Sequence, residues 1–517
     1  MKKIVLSLVF LGGLFTSVHA QQIAKGIVYE DKNQNNKFDK SEKRLANVQV
    51  SNGKQVVSTN EKGEYNIEID DETILFVVKP NNYKVPTNEF NQPQFFYINK
   101  PNGSPQLEFA GSAPTGKTPK SIDFALIPTQ ENDKFSAVIF GDPQAYTQEE
   151  IEYFSKGIID DVKEIKGMEF GISLGDLVGD DLDLHPPYIK AVSKVGLPWY
   201  NVMGNHDMNY DAKEDRYSDE TYEKNFGPNN YSYTIGKAHF IVLDDILYPD
   251  PRDGKSYWGG FRPDQLEFIK NDLKFVPKDH LIVLAFHIPL RNIRPEDRNQ
   301  LFGLLKEYPN TVSMSAHTHY QEQIYYANND GWQQEKPHHE YNVGTTSGDW
   351  YSGPKDAKGV PTSTMRDGTP KGYAFLHVDG NQYKFDYKVA NDKKERQIDL
   401  YHTQKVKEGK RKRAFLYANF FMGHESNTVE YRVNNGEWKK MKWDPTVDYN
   451  YMETIVRIDK AEITNIGNRP SAPEISTHIW SVRLPNKLQV GTHQIEVRAT
   501  DLYGNTFIEK SSFEVIK

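Results

Sequence analysis

The sequence predicts an α/β domain in the middle of the chain with a β-sandwich on either side. Three observations predict it. Between residues 132 and 395, short apolar strands alternate with helical patterns, and the strands end at Asp, Asn or His. Residues 22–128 and 396–517 instead carry short strands separated by turn residues at brief intervals. A length of 517 residues suits about three domains.

Residues 1–20 read as a removable secretion signal. Lys2 and Lys3 form a basic start, residues 4–18 are apolar, and Val18-His19-Ala20 ahead of Gln21 suits cleavage after a small residue. The apolar stretch is short for a membrane anchor and no stop-transfer pattern follows it. No other segment is long and apolar enough to span a bilayer. The expectation is an exported protein, periplasmic or secreted. There is no cysteine, which excludes a disulfide framework and a lipid anchor on cysteine. The formal net charge of −8 leaves no basic footprint for a nucleic-acid partner.

In residues 22–128, strands are expected at 25–28, 48–51, 55–59 and 65–69. Between the first two lies DKNQNNKFDKSE. Asp31, Asn33, Asn35, Asp39 and Glu42 stand at positions one, three, five, nine and twelve of a calcium loop, and Lys37 supplies a backbone carbonyl at position seven. Asn36 stands where glycine is usual, and asparagine tolerates the left-handed turn better than most residues. The run from Gly26 through Tyr65 resembles the calcium-binding B-type repeats of bacterial surface adhesins, which implies a structural calcium ion. Residues 80–120 are rich in Asn, Pro and Gly without periodicity, and read as an irregular edge and linker.

In the central domain, residues 135–140 form a buried strand ending at Gly141-Asp142. A helix follows: Thr147 and Glu150 form a capping box, and Ile151, Phe154, Ile158, Val162 and Ile165 make one apolar face. The strand at 170–174 ends at Gly175-Asp176. The next, at 199–203, ends at Gly204-Asn205-His206-Asp207. Strands at 239–243 and 281–286 follow, the second ending at His287, with helices around 266–273 and 301–305. His317 and His319 close the segment SMSAHTHY; residues two apart on an extended segment point the same way, so both imidazoles can face one cluster. Side chains at strand ends sit where such sheets bind ligands. Other polar residues have plainer readings: Asp180 as a carboxylate behind the ligands or at a helix start, His185 before Pro186-Pro187 as a surface or pocket-rim residue, His239 as a satisfied core histidine. His338 and His339 read either as lining the site or as a solvated turn.

The fragments IFGDPQ, SLGDLVGD, VMGNHD, AFHIP and SMSAHTHY together resemble the calcineurin-like metallophosphoesterase signature, in its order and over about the middle half of the chain. The resemblance implies two facing mixed β-sheets flanked by helices (an αββα domain), in a bacterial three-part exported type with N- and C-terminal β-domains. It implies two divalent transition metals (Mn, Zn or Fe). Asp176 would bridge them, Asp142 and His319 would hold the first, and Asn205, His287 and His317 the second. It also implies His206 as general acid, oriented by Asp207, and a hydroxide bridging the metals as nucleophile toward small phosphate mono- or diesters. Gln144 departs from the family's usual Asp-x-His. A glutamine carbonyl either ligates more weakly than imidazole or binds a metal-bound water, so the first metal is expected to be the looser one.

Residues 345–353 and 365–373 are loops interleaved with aromatic residues. In one reading Trp350, Tyr351, Arg366, Lys371 and Tyr373 wall a substrate cleft; in the other the rings pack structurally against the sheet. Beyond residue 396 the basic run 405–413 reads as a solvated connector. Strands at 415–420, 428–433, 479–484, 493–500 and 506–515, with hairpin turns at Asn434-Asn435-Gly436 and Tyr503-Gly504-Asn505, indicate a sandwich with Trp438 and Trp480 in its core. Two functions fit: a metal-dependent phosphoesterase, or a binding scaffold on a degenerate phosphoesterase fold. Retention of His206 favours the enzyme, since a scaffold needs no leaving-group acid.

Overall fold

Two sheets meet face to face in the centre of the computed structural model, which describes residues 22–409, 414–485 and 487–517. The expected secretion signal at 1–20 lies outside the described residues. One sheet orders Trp199–Val202, Phe170–Leu174, Lys134–Phe140, Gly372–Asp379 and Gln382–Val389; the first three run parallel, and each of the last two pairs antiparallel with the strand before it. The other orders Tyr231–Ile235, Ala238–Val242, Leu281–Ala285, Asn310–Ser315, His338–Asn342 and Glu322–Tyr326, with the four inner strands parallel. Phe170–Leu174 and Leu281–Ala285 are buried at every residue, which is why they read as continuous apolar runs. Phe135 and Phe170 of the first sheet meet Phe240 of the second, with ring centroids 6.2 and 5.4 Å apart.

Helices cover the outer faces. Gln148–Phe154 starts at Thr147, whose hydroxyl accepts from the Glu150 amide at 3.2 Å as the capping pattern predicts. It widens into a π-turn at Ser155–Ile159, with Ile151, Phe154, Ile158 and Val162 all buried. His185–Val192 packs beside it through Phe154 and Tyr188. Pro263–Asp272 and Pro295–Leu305 serve the second sheet.

The amino-terminal part has two four-stranded sheets: Glu64–Ile69, Gln22–Glu30, Phe124–Pro128 and Tyr83–Lys84; and Val56–Ser58, Gln49–Ser51, Thr73–Val77 and Phe96–Asn99. Residues 80–120 are not a linker. They contribute two of these strands and strap the central domain: Asn91 Nδ2 donates to the Ser193 carbonyl at 3.0 Å, Gln92 Nε2 to that of Asn225 at 3.0 Å, and the Glu108 amide to Asp211 at 2.7 Å. The Asn-rich composition that reads as loop supplies these cross-domain bonds. Apolar contact is continuous across the same boundary, Phe76 meeting Phe268 at 5.8 Å and Phe95 meeting Tyr231 at 5.1 Å. Lys100 reaches through it to Glu220, to Glu223 at 2.7 Å and to Glu72 at 3.4 Å, with its side chain 1% exposed.

The carboxy-terminal part is a second pair of sheets. One orders Ile398–His402, Phe415–Phe420, Ile479–Arg483 and Lys442–Trp443; the other Lys405–Lys407, Thr506–Ile516, Gly491–Thr500, Thr428–Val433 and Lys439–Lys440. The basic run at 405–413 is therefore not simply a connector, because Lys405–Lys407 pairs parallel with Thr506–Ile516; residues 410–413 lie outside the described residues. Asn434 and Asn435 take φ of 51° and 58° in the expected hairpin turn. Trp480 is core. Trp438 is not: it is half-buried, with the Arg432 and Arg498 guanidinium carbons 4.6 and 4.4 Å from its ring centre. A helix, Tyr449–Asp459, capped by Asp448, interrupts the strands and was not expected. Among the described residues no helix is long and apolar enough to cross a membrane.

Candidate active site

Asp142, Gln144, Asp176, His317 and His319 all have positive φ, at 27°, 35°, 47°, 71° and 54°. Each such non-glycine residue costs about 1–3 kcal/mol and persists only where its surroundings hold it, which is how functional clusters concentrate strain. The holding bonds are visible. The Gln144 amide donates to the Asp176 carbonyl at 2.8 Å, the His317 amide to both Asp142 carboxylate oxygens at 3.2 and 3.0 Å, and the His206 amide to Asp176 Oδ1 at 2.9 Å. Gly204 is needed for this approach, since a Cβ there would lie 2.0 Å from the Asp176 nitrogen.

The donor atoms converge in a way that suits cations. His287 Nδ1 lies 2.8 Å from the Leu174 carbonyl, the backbone contact that fixes a ligating imidazole with Nε2 facing inward. Nε2 faces Asn205 Oδ1 at 3.1 Å, Asp176 Oδ2 at 3.2 Å and His317 Nδ1 at 3.1 Å. Asp176, His287 and His317 each offer a ligand atom, all within 4.8 Å of one another. Burial opposes charge on His287, yet the Asp176, Asp142 and Asp245 carboxylates outweigh it and push the imidazole up to about 10. The cluster therefore draws positive charge to this point.

Beside it, His319 Nδ1 donates to the Gly348 carbonyl at 2.7 Å, while Nε2 faces Gln144 Oε1 at 2.7 Å and Asp142 Oδ2 at 4.0 Å. Burial pushes His319 and His317 down to about 3, leaving their lone pairs free at physiological pH. Burial, then the charge of Asp176, pushes Asp142 up to about 8 despite the opposing His287. Imidazole nitrogens, amide oxygens and two buried carboxylates form a donor set that fits borderline divalent metals.

The proton-handling residues differ from expectation. His206 Nδ1 bonds Asp180 Oδ1 at 2.7 Å, not Asp207. Asp207 is fully buried and holds the turn: it accepts from the Leu177, Val178 and Gly204 amides and pairs with His185 Nε2 at 3.1 Å. His185 is buried as well, not at a rim. Burial lowers the His206 pKa, but Asp176 and Asp180 outweigh it and push it up to about 9. His239 bonds Asp272 at 2.7 Å in the core, as expected. His338 and His339 neither line the site nor sit in a solvated turn. His338 is buried between Thr311 and Ser313, and His339 bonds Gln323.

Trp350 is at the site, its ring stacked on His319 at 4.0 Å and its Nε1 donating to Gln144 Oε1 at 2.8 Å. Arg366 lies beside it, its guanidinium carbon 5.6 Å from the Trp350 ring, donating to the Thr318 carbonyl at 2.8 Å and paired with Glu474 at 3.2 Å. The other three expected cleft residues are structural. Tyr351 is buried beneath the turn, its hydroxyl donating to the Pro143 carbonyl. Lys371 is buried against the Pro361 carbonyl, where desolvation pushes its ammonium down to about 8. Tyr373 is buried in Gly372–Asp379 and bonds Asp161 at 2.9 Å. In their place the structure brings Tyr146, whose ring lies 5.9 Å from that of His206, Tyr257, 6.2 Å from His317, and Tyr210, whose hydroxyl lies near Asn205. Tyr146 and Tyr210 lie within five residues after the motifs, in the loops where functional side chains concentrate; that position was the available signal.

At the amino-terminal loop, Asp31 is fully buried and accepts from the Asn35 and Asn36 amides at 3.2 and 2.9 Å. Asn33 and Asn35 donate to Asp39 Oδ2 at 2.8 and 3.1 Å, Glu42 accepts from the Lys32 and Asp39 amides, and the Lys37 amide donates to Asn35. Asn36 has φ 56°, the left-handed turn expected of it.

Three family models match in order: the N terminal of calcineurin-like phosphoesterase at residues 32–113, calcineurin-like phosphoesterase at 135–321, and the C terminal of calcineurin-like phosphoesterase at 340–507. No curated protein matches. Among solved structures, a purple acid phosphatase from yellow lupin (Lupinus luteus) seeds is 14% identical with a TM-score of 0.36, over 52% of this chain and 55% of its own, so the match spans about half of that protein. CopC from Methylosinus trichosporium is 13% identical with a TM-score of 0.13, over 23% of this chain and 88% of its own. Neither likeness carries an argument at those scores. The three family matches do: the chain belongs to the calcineurin-like phosphoesterase family and has its N-terminal, core and C-terminal parts.

Proposed function

We propose that the chain hydrolyses small phosphate esters with two divalent transition metals. The observation that carries this is the convergence of Asp176, Asn205 and His317 on His287 Nε2, with His287 Nδ1 held at the Leu174 carbonyl. Asp142, His319 and Gln144 would hold one metal, Asn205, His287 and His317 the other, and Asp176 would bridge. When bound, two such cations supply Lewis acidity to a phosphoryl group and to water. The neutral amide of Asn205 adds no negative charge to the cluster. His206, its Nδ1 committed to Asp180, holds a proton at Nε2 for the departing oxygen. Water oxygen joins phosphorus, the ester P–O bond breaks, and the leaving oxygen takes that proton. The amino-terminal loop 31–42, with five oxygen-bearing side chains drawn together, would bind a structural calcium ion apart from catalysis.

The test is metal analysis of purified protein together with turnover of nitrophenyl phosphate and bis(nitrophenyl) phosphate. Chelation abolishes hydrolysis, and manganese, zinc or iron restores it. Undiminished turnover in a verified metal-free sample overturns the proposal.

A further inference from the structure

We infer that the preferred substrate carries a flat, uncharged ring next to its ester oxygen, seated against Tyr146 and Tyr210 on the His206 side of the site. This rests on the phosphoesterase reading above, because it uses His206 to mark where the leaving group departs.

Large aromatic side chains normally bury their faces, yet Tyr146 and Tyr210 are 37% and 40% exposed. Tyr146 stands beside the proton donor, its ring meeting the His206 ring edge to face at 5.9 Å. The Tyr210 hydroxyl lies near Asn205, the residue before His206, and near Asp180. Both rings are held in place. Tyr146 OH accepts from Gln144 Nε2 at 3.2 Å, its amide donates to Glu150 at 2.6 Å, and its ring lies over Gly179, where a Cβ would come within 2.7 Å of it. Tyr210 packs edge to face on Tyr248 at 5.7 Å, and its carbonyl accepts the Tyr248 hydroxyl. Rings fixed in advance give up little conformational freedom on binding a second ring, which makes them efficient stacking platforms.

Charge sets the second half of the inference. The group bonded to His206 is Asp180, a carboxylate with half its side chain exposed. Arg366, at the Trp350 edge, is already paired with Glu474 and the Thr318 carbonyl. A leaving group with its own anionic charge would meet the Asp180 carboxylate on this side, and the Arg366 guanidinium is already engaged, so the ring is neutral.

The experiment uses metal-replete full-length protein and three esters whose leaving alcohols are similarly acidic: benzyl, 4-carboxybenzyl and 2-methoxyethyl phosphate. Stacking of this kind is worth about tenfold, so kcat/KM for the benzyl ester exceeds that for the acyclic ester by about tenfold. The carboxylate on the ring removes the advantage. Tyr146→Leu with Tyr210→Leu brings the benzyl-to-acyclic ratio to about one, whereas Tyr146→Phe with Tyr210→Phe keeps it; metal content and circular dichroism verify that both pairs are folded. A ratio near one in the wild type, a ratio unchanged in the leucine pair, or equal use of the charged ring overturns the inference. Calorimetric binding of benzylphosphonate against 2-methoxyethylphosphonate reads the same preference without turnover. Absence of hydrolysis with ring-selective binding would count against the catalytic reading alone, and absence of ring selectivity in binding against the ring subsite.

Discussion

Replacing Lys100 by methionine should loosen the amino-terminal strap from the central domain. The ammonium is the cation among Glu220, Glu223 and Glu72, and Glu220 is fully buried. Glu220 Oε2 keeps the Ser104 hydroxyl, but Glu220 Oε1, Glu223 Oε2 and Asp219 Oδ1 have no hydrogen-bond donor to take over. Removing one member of a buried ion cluster costs about 3–5 kcal/mol, because the remaining charge stays desolvated. A three-part chain does not unfold in one step, so the readout is local: amide exchange along 91–100 and 220–226 at pH 8 should accelerate by roughly 100-fold or more. The pH dependence has a definite sign. Burial, with the Glu220 charge, raises the Glu223 pKa to about 7 even with Lys100 opposing, and losing Lys100 raises it further. A carboxyl with a raised folded pKa binds more protons folded than unfolded, so stability rises as pH falls toward the unfolded value near 4.5. The deficit of Lys100→Met should therefore shrink between pH 8 and pH 5.5, and Glu220→Gln in the same chain should recover part of it. Exchange at the strap changing by less than about threefold at pH 8 would refute the reasoning, since that is under 1 kcal/mol.

Asp180→Asn should lower kcat by about tenfold or more with little change in melting temperature, because it disturbs only the hydrogen bond that orients His206. Asp207→Asn should instead lower the melting temperature, since Asp207 holds three amides and His185 in the core; equal kcat losses without destabilisation in both variants would contradict that division. Calcium should raise the melting temperature of the wild type by mass action, and Glu42→Ala should remove that response; an identical calcium response in the two proteins excludes the 31–42 loop.

Residues whose place follows from a strand were legible in the sequence. Asp142, Asp176, Asn205, His287, His317 and His319 end or follow buried apolar strands, so the position of each was implied by the run before it. What was illegible depends on non-local pairing. Asp180 meets His206 across 26 residues, and neither local spacing nor composition distinguishes it from Asp207. Pro186-Pro187 reads as a turn and placed His185 at the surface, but the prolines occupy the first turn of His185–Val192, where they fit without loss of a backbone bond. Tyr373 follows turn formers, yet it belongs to the buried face of Gly372–Asp379. The strap at 80–120 has no apolar period because hydrogen bonds do much of its docking.

The two flanking parts touch the site through its loops, supplying none of the proposed ligands. Asp349, next to Trp350, accepts from the Ser471 amide at 2.7 Å and the Tyr451 hydroxyl at 3.3 Å, both carboxy-terminal groups. Asp367, next to Arg366, bonds His478 at 3.0 Å, and its carbonyl accepts from Asn419. From the other side the Phe109 carbonyl accepts from Asn209 and Thr221, fixing the segment that follows His206. Five residues from three segments held at positive φ need such external bonds, because a strand end alone does not hold strained backbone. Gln144 ties the arrangement together: its amide donates to Tyr146 and accepts from Trp350, so one side chain links two aromatic walls to the loop that the carboxy-terminal part secures. A histidine that ligated a metal here through one ring nitrogen would keep only the other, an N–H donor, and could not also accept from Trp350. In the two-metal reading proposed above, glutamine in place of the family's usual histidine would exchange a stronger metal ligand for fixed aromatic walls.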